Sequence, residues 1–143
     1  PPLSRHFTPS LVSCVKHLQL STNPCRLRYY SKELVLFRHN VGQELCRHAI
    51  AAPGATPHHH HVVKTLLDQS HLCPTGTMYW QFDHAMRLYP LPDALCLGDA
   101  GMIPFHEEYA GCDAIQPGSF AHDGRFVVYR PLAKEDKVEW SQI

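Results

Sequence analysis

Alternating apolar and polar positions predict a pair of strands in the first third of the chain. Residues 25–30 (CRLRYY) alternate apolar side chains with arginine, which is typical of a half-buried strand. Residues 33–38 (ELVLFR) carry a more continuous apolar run and predict a second strand. Because only Ser31 and Lys32 separate the two runs, we expect a hairpin.

Apolar residues that recur every three or four positions predict two helices after this hairpin. The first covers residues 40–50, with Asn40 as its cap and an inward face made of Val41, Leu45, Cys46, Ala49 and Ile50. In the second, Thr56 is the cap, Pro57 takes the first helical position, and the helix ends near Gln69. Its inward face contains Val62, Val63, Leu66 and Leu67.

The remaining sequence is divided by proline and glycine into short elements. Residues 78–88 predict a short helix with aromatic packing, and four strands are predicted at residues 92–97, 112–115, 125–130 and 137–140. Strands mixed with helices indicate the α/β class, as a layered α+β domain. We expect an irregular lead-in over residues 1–24 and one domain over residues 25–143.

The charge balance excludes an obvious nucleic-acid-binding surface. Thirteen Lys and Arg residues are balanced by thirteen Asp and Glu residues, so the formal net charge is zero. We therefore expect any DNA contact to come mainly through a partner. No apolar run is long enough to predict a membrane-spanning helix, and the first residues lack the layout of a signal peptide. Since the sequence begins at Pro1 rather than Met, we expect a fragment or a trimmed form of a longer chain.

The six cysteines do not form a metal-binding or redox motif. No C-x-x-C pair is present, which removes zinc ribbons and thioredoxin-like sites. The even number allows disulfides, but the apolar neighbours of the cysteines favour reduced, buried thiols. We therefore expect a reducing compartment, the nucleus or the cytosol.

Four consecutive histidines, His58 to His61, suggest a metal site. On a helix their side chains rotate by about 100° each, so only His58 and His61 share a face, whereas a metal needs three or four converging ligands. We interpret the run as a solvated entry to the helix.

Asp99 is a candidate metal-binding carboxylate because it follows a buried strand. With His84 and His106 it would form the site of a metal-dependent phosphodiesterase, and Asp83, Glu107 and Glu108 are nearby in sequence. The alternative is that Asp99 caps a loop. Tyr79, Trp80, Phe82 and Tyr89, interleaved with Arg87, offer a third hypothesis, a surface that stacks single-stranded DNA bases, although core and interface packing is the simpler interpretation.

Four stretches, taken in order and spacing, resemble a known family. They are NPCR (residues 23–26), VKTLLDQSHLCP (63–74), YWQFDHAMRLYPLPD (79–93) and QPGSF (116–120). Together they are similar to the C-terminal half of the B subunits of replicative DNA polymerases, the DNA polymerase alpha/epsilon B-subunit family, and within it to the epsilon branch. The resemblance covers nearly the whole chain, and residues 79–93 are its most distinctive part.

The resemblance implies a non-catalytic scaffold subunit that acts in nuclear DNA replication and needs no cofactor. It implies the C-terminal half of a calcineurin-like phosphoesterase β-sandwich, flanked by helices and inactive, that binds the C-terminal region of the catalytic subunit of DNA polymerase epsilon. Other expected partners are replisome proteins, including the replicative helicase assembly. The family-motif residues, expected to be structural, are Lys64, Thr65, His71, Trp80, Asp83, Arg87, Tyr89, Pro90, Pro117, Gly118, Ser119 and Phe120.

The sequence departs from active phosphoesterases and from the family pattern at three places. Active relatives carry G-H-x-H where this chain has Gly98-Asp99-Ala100-Gly101, so Asp99 is expected to be a remnant of a lost site. Gln116 stands where the family usually has Asn. Residues 100–110 match poorly and predict a remodelled surface loop.

Overall fold

The main sheet contains five strands and mixes parallel with antiparallel pairing. The computed structural model describes residue 6 and residues 8–51, 54, 56–75, 80–133, 135 and 137–143. The strands are β1 (Cys25–Tyr29), β2 (Lys32–Phe37), β3 (Ala94–Leu97), β4 (Phe105–Tyr109) and β5 (Cys112–Gln116). Their order across the sheet is β1-β2-β3-β5-β4.

The predicted hairpin is confirmed, because β1 and β2 pair antiparallel with Cys25 opposite Leu36. Strands β2, β3 and β5 run parallel to one another, and β4 adds to β5 antiparallel at the far edge. Parallel neighbours need a long crossover connection. The segment between β2 and β3 supplies one, and it contains most of the helical residues.

The helices whose two ends both lie within the described part of the chain are five α-helices and a 3-10 helix. They are α1 (Pro9–Cys14), α2 (Val41–His48), α3 (His58–Asp68), a 3-10 helix (Trp80–Phe82), α4 (Asp83–Met86) and α5 (Phe120–Asp123). Helix α1 lies within the predicted lead-in and has no buried side chain. None of the described helices is long and apolar enough to span a membrane.

A separate two-stranded sheet, β6 (Arg125–Tyr129) and β7 (Val138–Gln142), forms a second layer. Between it and the main sheet lies a cavity of about 380 Å³, lined mainly by apolar side chains such as Leu34, Ile115 and Phe126. Helices combined with a mixed sheet confirm the predicted layered α+β class.

The core lies between α3 and the main sheet. Val62, Val63, Leu66 and Leu67 of α3 are all buried, as the helical spacing predicted. Every residue of β5 is buried because this strand has neighbours on both sides, whereas edge strand β1 is largely exposed. The core is therefore centred on the inner strands.

Several predicted elements need correction. Residues 105–109, predicted as surface loop, form β4; this strand lies at an edge, where charged side chains are tolerated. Helix α2 ends at His48, so Ile50 is fully exposed instead of inward-facing. Helix α3 begins at His58 with Pro57 in the cap position, not Thr56.

Candidate functional site

The carboxyl ends of the parallel strands β2, β3 and β5 meet at one edge of the main sheet. In open α/β sheets this edge is the usual place for a ligand site. A cavity of about 770 Å³ lies there, lined by residues that include Asn23, Arg38, Asp99 and Ser119. This is the position at which the sequence predicted a lost phosphoesterase site.

The Asp99 carboxylate is fully engaged by backbone groups. It is buried, and its Oδ2 accepts a hydrogen bond from the N–H of Gly42 (2.8 Å) while Oδ1 accepts one from the N–H of Gly101 (2.8 Å). Gly42 lies in the first turn of α2, so Asp99 caps that helix from a distant part of the chain. Asn40, the predicted cap, occupies the cap position but makes no side-chain cap hydrogen bond to the described residues.

Gln116 fixes the backbone on which Asp99 is carried. Its side-chain oxygen accepts a hydrogen bond from the Asp99 N–H (3.4 Å), and its side-chain amide donates to the Asp99 carbonyl. Gln116 is as buried as Asp99. Gln116, which departs from the Asn expected at this position, therefore orients Asp99.

His84 and His106 are not combined with Asp99 into a metal site. His106 Nε2 lies 3.1 Å from Oδ1 of Asp113, whereas His84 is exposed on α4. Over the described ranges, no three His, Cys, Asp or Glu side chains are grouped so that they could hold a metal ion. The phosphodiesterase alternative therefore has no ligand set among these residues.

The histidine run, His58 to His61, is not a solvated helix entry, so that interpretation is wrong. His59 stacks on Phe105 of β4, with ring centroids 4.9 Å apart and planes 17° apart. His60 Nδ1 hydrogen-bonds Glu107, also on β4. The prediction that only His58 and His61 share a face of the helix is confirmed, because both line a cavity beside α2 whereas His59 and His60 contact β4.

Two of the family-motif stretches are clamped together by backbone pairing. His71 and Arg87 form an antiparallel bridge, and Leu72 N–H donates to the Met86 carbonyl at 2.9 Å. Leu88, which follows this pairing, is completely buried. This pairing, the clamp, therefore fixes residues 86–88, in the middle of the 79–93 stretch, against the segment after α3.

A side-chain network built on Asp83 strengthens the same clamp. Arg87 donates to Oδ2 of Asp83 through Nε (3.1 Å) and Nη2 (2.8 Å). His71 Nδ1 accepts the N–H of Cys73, so its proton is on Nε2, which donates to Asp83 Oδ1 at 3.2 Å. The hydrogen bond from Arg87 holds the pKa of Asp83 below its ordinary value. Because Arg87 is paired in this way, its charge is already engaged, which weakens the single-stranded DNA hypothesis.

Trp80, at the start of the described part of this segment, and Tyr89, just after the pairing with His71, point to solvent. Their side chains are 90% and 86% exposed, and Pro90 is exposed as well. The core part of the core-and-interface interpretation is therefore wrong for Trp80 and Tyr89, and its interface part stays a prediction. Tyr79 lies outside the described residues. Exposed aromatic rings on a clamped segment are typical of a protein interface.

The other family-motif residues have local roles. Lys64 Nζ donates to the Tyr109 hydroxyl (3.0 Å), which raises the pKa of Lys64, and Thr65 Oγ1 donates to the His61 carbonyl (2.7 Å) within α3. Pro117, Gly118 and Ser119 form the turn between β5 and α5, Phe120 is the first residue of α5, and Gly118 has a φ of +85°. Ser119 lies beside the carboxyl-edge cavity, and Phe120 is exposed.

Sequence reasoning missed Gly42, Asp113 and the structural role of Gln116. Asp113 is buried on β5 and contacts Tyr129 and Lys137 of the second layer. A polar residue inside a run that is otherwise apolar, as in CDAIQ (residues 112–116), is the signal that could have found Asp113 and Gln116. Nothing in the local pattern singles out Gly42.

Comparisons with known proteins agree with the motif segments. The family model for the B subunit of DNA polymerases alpha and epsilon matches residues 1–107. DNA polymerase epsilon subunit 2 of Homo sapiens is 37% identical over 142 residues, which covers 94% of this chain and 26% of that protein. The DNA polymerase epsilon B subunit of Arabidopsis thaliana is 35% identical over 140 residues, covering 93% of this chain and 26% of that protein.

A nematode relative extends this agreement to almost the whole chain. The probable DNA polymerase epsilon subunit 2 of Caenorhabditis elegans is 34% identical over 148 residues, covering 99% of this chain and 26% of that protein. The chain thus spans about a quarter of the length of these curated relatives. By the family model and by these identities, it belongs to the DNA polymerase alpha/epsilon B-subunit family.

Proposed function

We propose that the chain is the C-terminal part of a non-catalytic accessory subunit of the DNA polymerase epsilon complex. The names of the relatives support this proposal, since each is the B subunit, or subunit 2, of DNA polymerase epsilon. The chain acts as a scaffold in nuclear DNA replication and reaches DNA mainly through the complex. Its neutral charge balance is consistent with indirect contact to DNA.

The exposure of Trp80 and Tyr89 on a fixed segment is the observation that carries the proposal. Aromatic residues dominate binding energy at protein interfaces, and a preformed surface loses little conformational entropy on binding. The Asp83–Arg87 ion pair and the bridge to His71 hold the segment before any partner binds. Trp80 and Tyr89 therefore contact the partner protein.

The partner at this surface is the C-terminal region of the catalytic subunit. The replicative helicase assembly and other replisome proteins contact the accessory subunit elsewhere. The fold around the surface is a calcineurin-like phosphoesterase sandwich, of which the main sheet and the β6–β7 layer are the C-terminal portion.

The proposed scaffold role includes no catalysis by this portion, and the structural contacts of Asp99 support this part of the proposal. Both of its carboxylate oxygens accept backbone hydrogen bonds, so the carboxylate stabilises α2 and the loop after β3 instead of binding a metal. The accessory subunit therefore needs no cofactor for its scaffold role.

Co-purification with the C-terminal region of the catalytic subunit tests the proposal. The double variant Trp80→Ala/Tyr89→Ala is expected to weaken association by roughly tenfold or more, as expected for two aromatic anchors. Tyr30→Ala is the matched control, because Tyr30 is 78% exposed and lies outside the segment. Failure of the unaltered chain to associate at micromolar concentrations, or equal loss of binding in both variants, contradicts the proposal.

A further inference from the structure

A cavity with both polar and apolar lining residues lies between α2 and α3, away from the carboxyl edge of the sheet. Its volume is about 530 Å³, and its polar lining includes Cys46, His48, His58, His61, Thr65 and Gln69. No Asp or Glu is among its described lining residues. The cavity therefore offers hydrogen-bonding groups and imidazoles without acidic side chains that would repel an anion.

Cys46 and His58 are in direct contact at the rim of this cavity. Cys46 Sγ is in contact with His58 Nε2, and Cys46 is exposed to solvent. An imidazole in contact with a thiol can take its proton and stabilise the thiolate, which is the nucleophilic form of cysteine. The two residues are 12 positions apart, so the pair exists only because α2 and α3 pack together.

The other cysteines lie in different surroundings. Burial raises the pKa of the Cys96 thiol and raises that of Cys112 to about 12, so both are expected to be unreactive. Cys14 is exposed like Cys46, but its described contact is the hydroxyl of Ser13, 3.9 Å away. Cys14 is therefore a natural reference for an exposed thiol.

His61 gives the cavity an unused polar atom. Its Nε2 is buried and has no hydrogen-bond partner within the described structure. Buried polar atoms are normally paired, so a bound molecule with a hydrogen-bonding group would satisfy this one. The unpaired atom and the Cys46–His58 contact line the same cavity.

We propose that Cys46 and His58 form a reactive pair that makes Cys46 a site of thiol–disulfide exchange with a small anionic disulfide. His58 Nε2 takes the thiol proton, and the Cys46 thiolate attacks one sulfur of the disulfide. A mixed disulfide forms on Cys46 as the original S–S bond breaks, and the departing thiolate takes up a proton. The cavity provides room for the molecule that becomes attached.

Labelling of the folded chain with the anionic disulfide 5,5′-dithiobis(2-nitrobenzoate) tests this site, with peptide mass mapping to identify each modified cysteine. Since an ordinary thiol is only a few per cent ionised at neutral pH, Cys46 is expected to react roughly tenfold faster than Cys14. His58→Asn should lower the Cys46 rate to that of Cys14. His84→Asn removes an exposed imidazole that does not line the cavity, and it should leave the rate nearly unchanged.

Equal rates for Cys46 and Cys14 in the folded chain would overturn the proposal, as would an unchanged Cys46 rate in His58→Asn. Circular dichroism establishes that each variant is folded, and in concentrated guanidinium chloride the two rates should converge. If the rate difference persists in the unfolded chain, its cause is the local sequence and not the cavity, and the proposal is overturned. The assay contains no polymerase partner, so its outcome is independent of the scaffold proposal.

Discussion

The hydroxyl of Tyr129 donates a 3.0 Å hydrogen bond to the carboxylate of Asp113, and this contact joins the two sheets. Asp113 lies on β5, in the interior of the main sheet, and Tyr129 ends β6 in the second layer. Lys137 Nζ lies 3.2 Å from the same carboxylate oxygen, and His106 approaches the other. The buried carboxylate of Asp113 thus lies within hydrogen-bond distance of donors from both layers.

Removing the Tyr129 hydroxyl should loosen the attachment of the second layer. We expect Tyr129→Phe to lower the free energy of unfolding by about 1.5–3 kcal/mol, the range for a hydrogen bond to a charged group. Denaturant unfolding measures it. Tyr29→Phe is the control, since Tyr29 is exposed and should change stability by less than about 0.5 kcal/mol. Similar losses in the two variants would contradict a joining role for the bond.

The contribution of Asp113 should disappear in acid. Burial raises the pKa of this carboxyl, but hydrogen bonds from His106, Tyr129 and Lys137 outweigh burial and hold it below the ordinary 3.8. A carboxyl whose pKa is lower in the folded state stabilises the fold at pH values above its unfolded-state pKa. This stabilisation is lost as the pH falls through the folded-state pKa. The stability difference between the unaltered chain and Asp113→Asn should therefore be constant near neutrality and shrink below pH 3.8. A difference that stays constant into acid would refute this.

Tyr129 should be the last described tyrosine to ionise. Burial, followed by the hydrogen bond to Asp113, raises the pKa of Tyr129 well above the ordinary 10. Because the folded state holds this proton more tightly, the associated stability is present below pH 10 and lost as pH rises toward the folded value. Spectrophotometric titration should show a delayed phenolate step that Tyr129→Phe removes. Simultaneous ionisation of all tyrosines while the chain is still folded would contradict it.

Asp99 should matter for stability, whereas the residue in the cap position of α2 should not. Asp99→Ala leaves the Gly42 and Gly101 N–H groups without their acceptor, and we expect a loss of about 2–4 kcal/mol in denaturant unfolding. Asn40→Ala should change stability by less than about 0.5 kcal/mol, because Asn40 makes no side-chain cap hydrogen bond to the described residues. A larger loss of stability in Asn40→Ala than in Asp99→Ala would show that α2 is capped by its neighbouring residue and not by Asp99.

Gly118 should tolerate alanine less well than Gly111. Both have positive φ, +85° and +79°, which costs alanine about 1–2 kcal/mol at either position. A Cβ on Gly118 would also lie 3.0 Å from Cγ of Pro104, whereas a Cβ on Gly111 meets no atom within 4 Å. Gly118→Ala should therefore have the lower melting temperature. Equal melting temperatures would mean that the Pro104 contact is relieved without cost.

The regular elements of the fold could be predicted from the sequence because burial within them depends on the spacing of apolar residues along the chain. The inward face of α3 and the β1–β2 hairpin follow from patterns that repeat every 3.6 or 2 residues. Strand β4 was missed because an edge strand has a partner on one side only and can carry His106 and Glu108 on its exposed positions. The aromatic segment was assigned to core and interface together, because sequence alone does not tell a buried aromatic from an exposed one.

The sequence by itself determined the family, the class of fold and the faces of the regular elements, since these depend on motifs and short-range periodicity. Only the tertiary structure decided what the polar groups do. Asp99 caps α2 from 57 positions away, and Asp113 meets Tyr129 across two sheets. Both contacts form because a buried carboxylate needs hydrogen-bond donors, and these come from the segments that pack beside it in the folded chain. No local sequence pattern specifies which segments become neighbours.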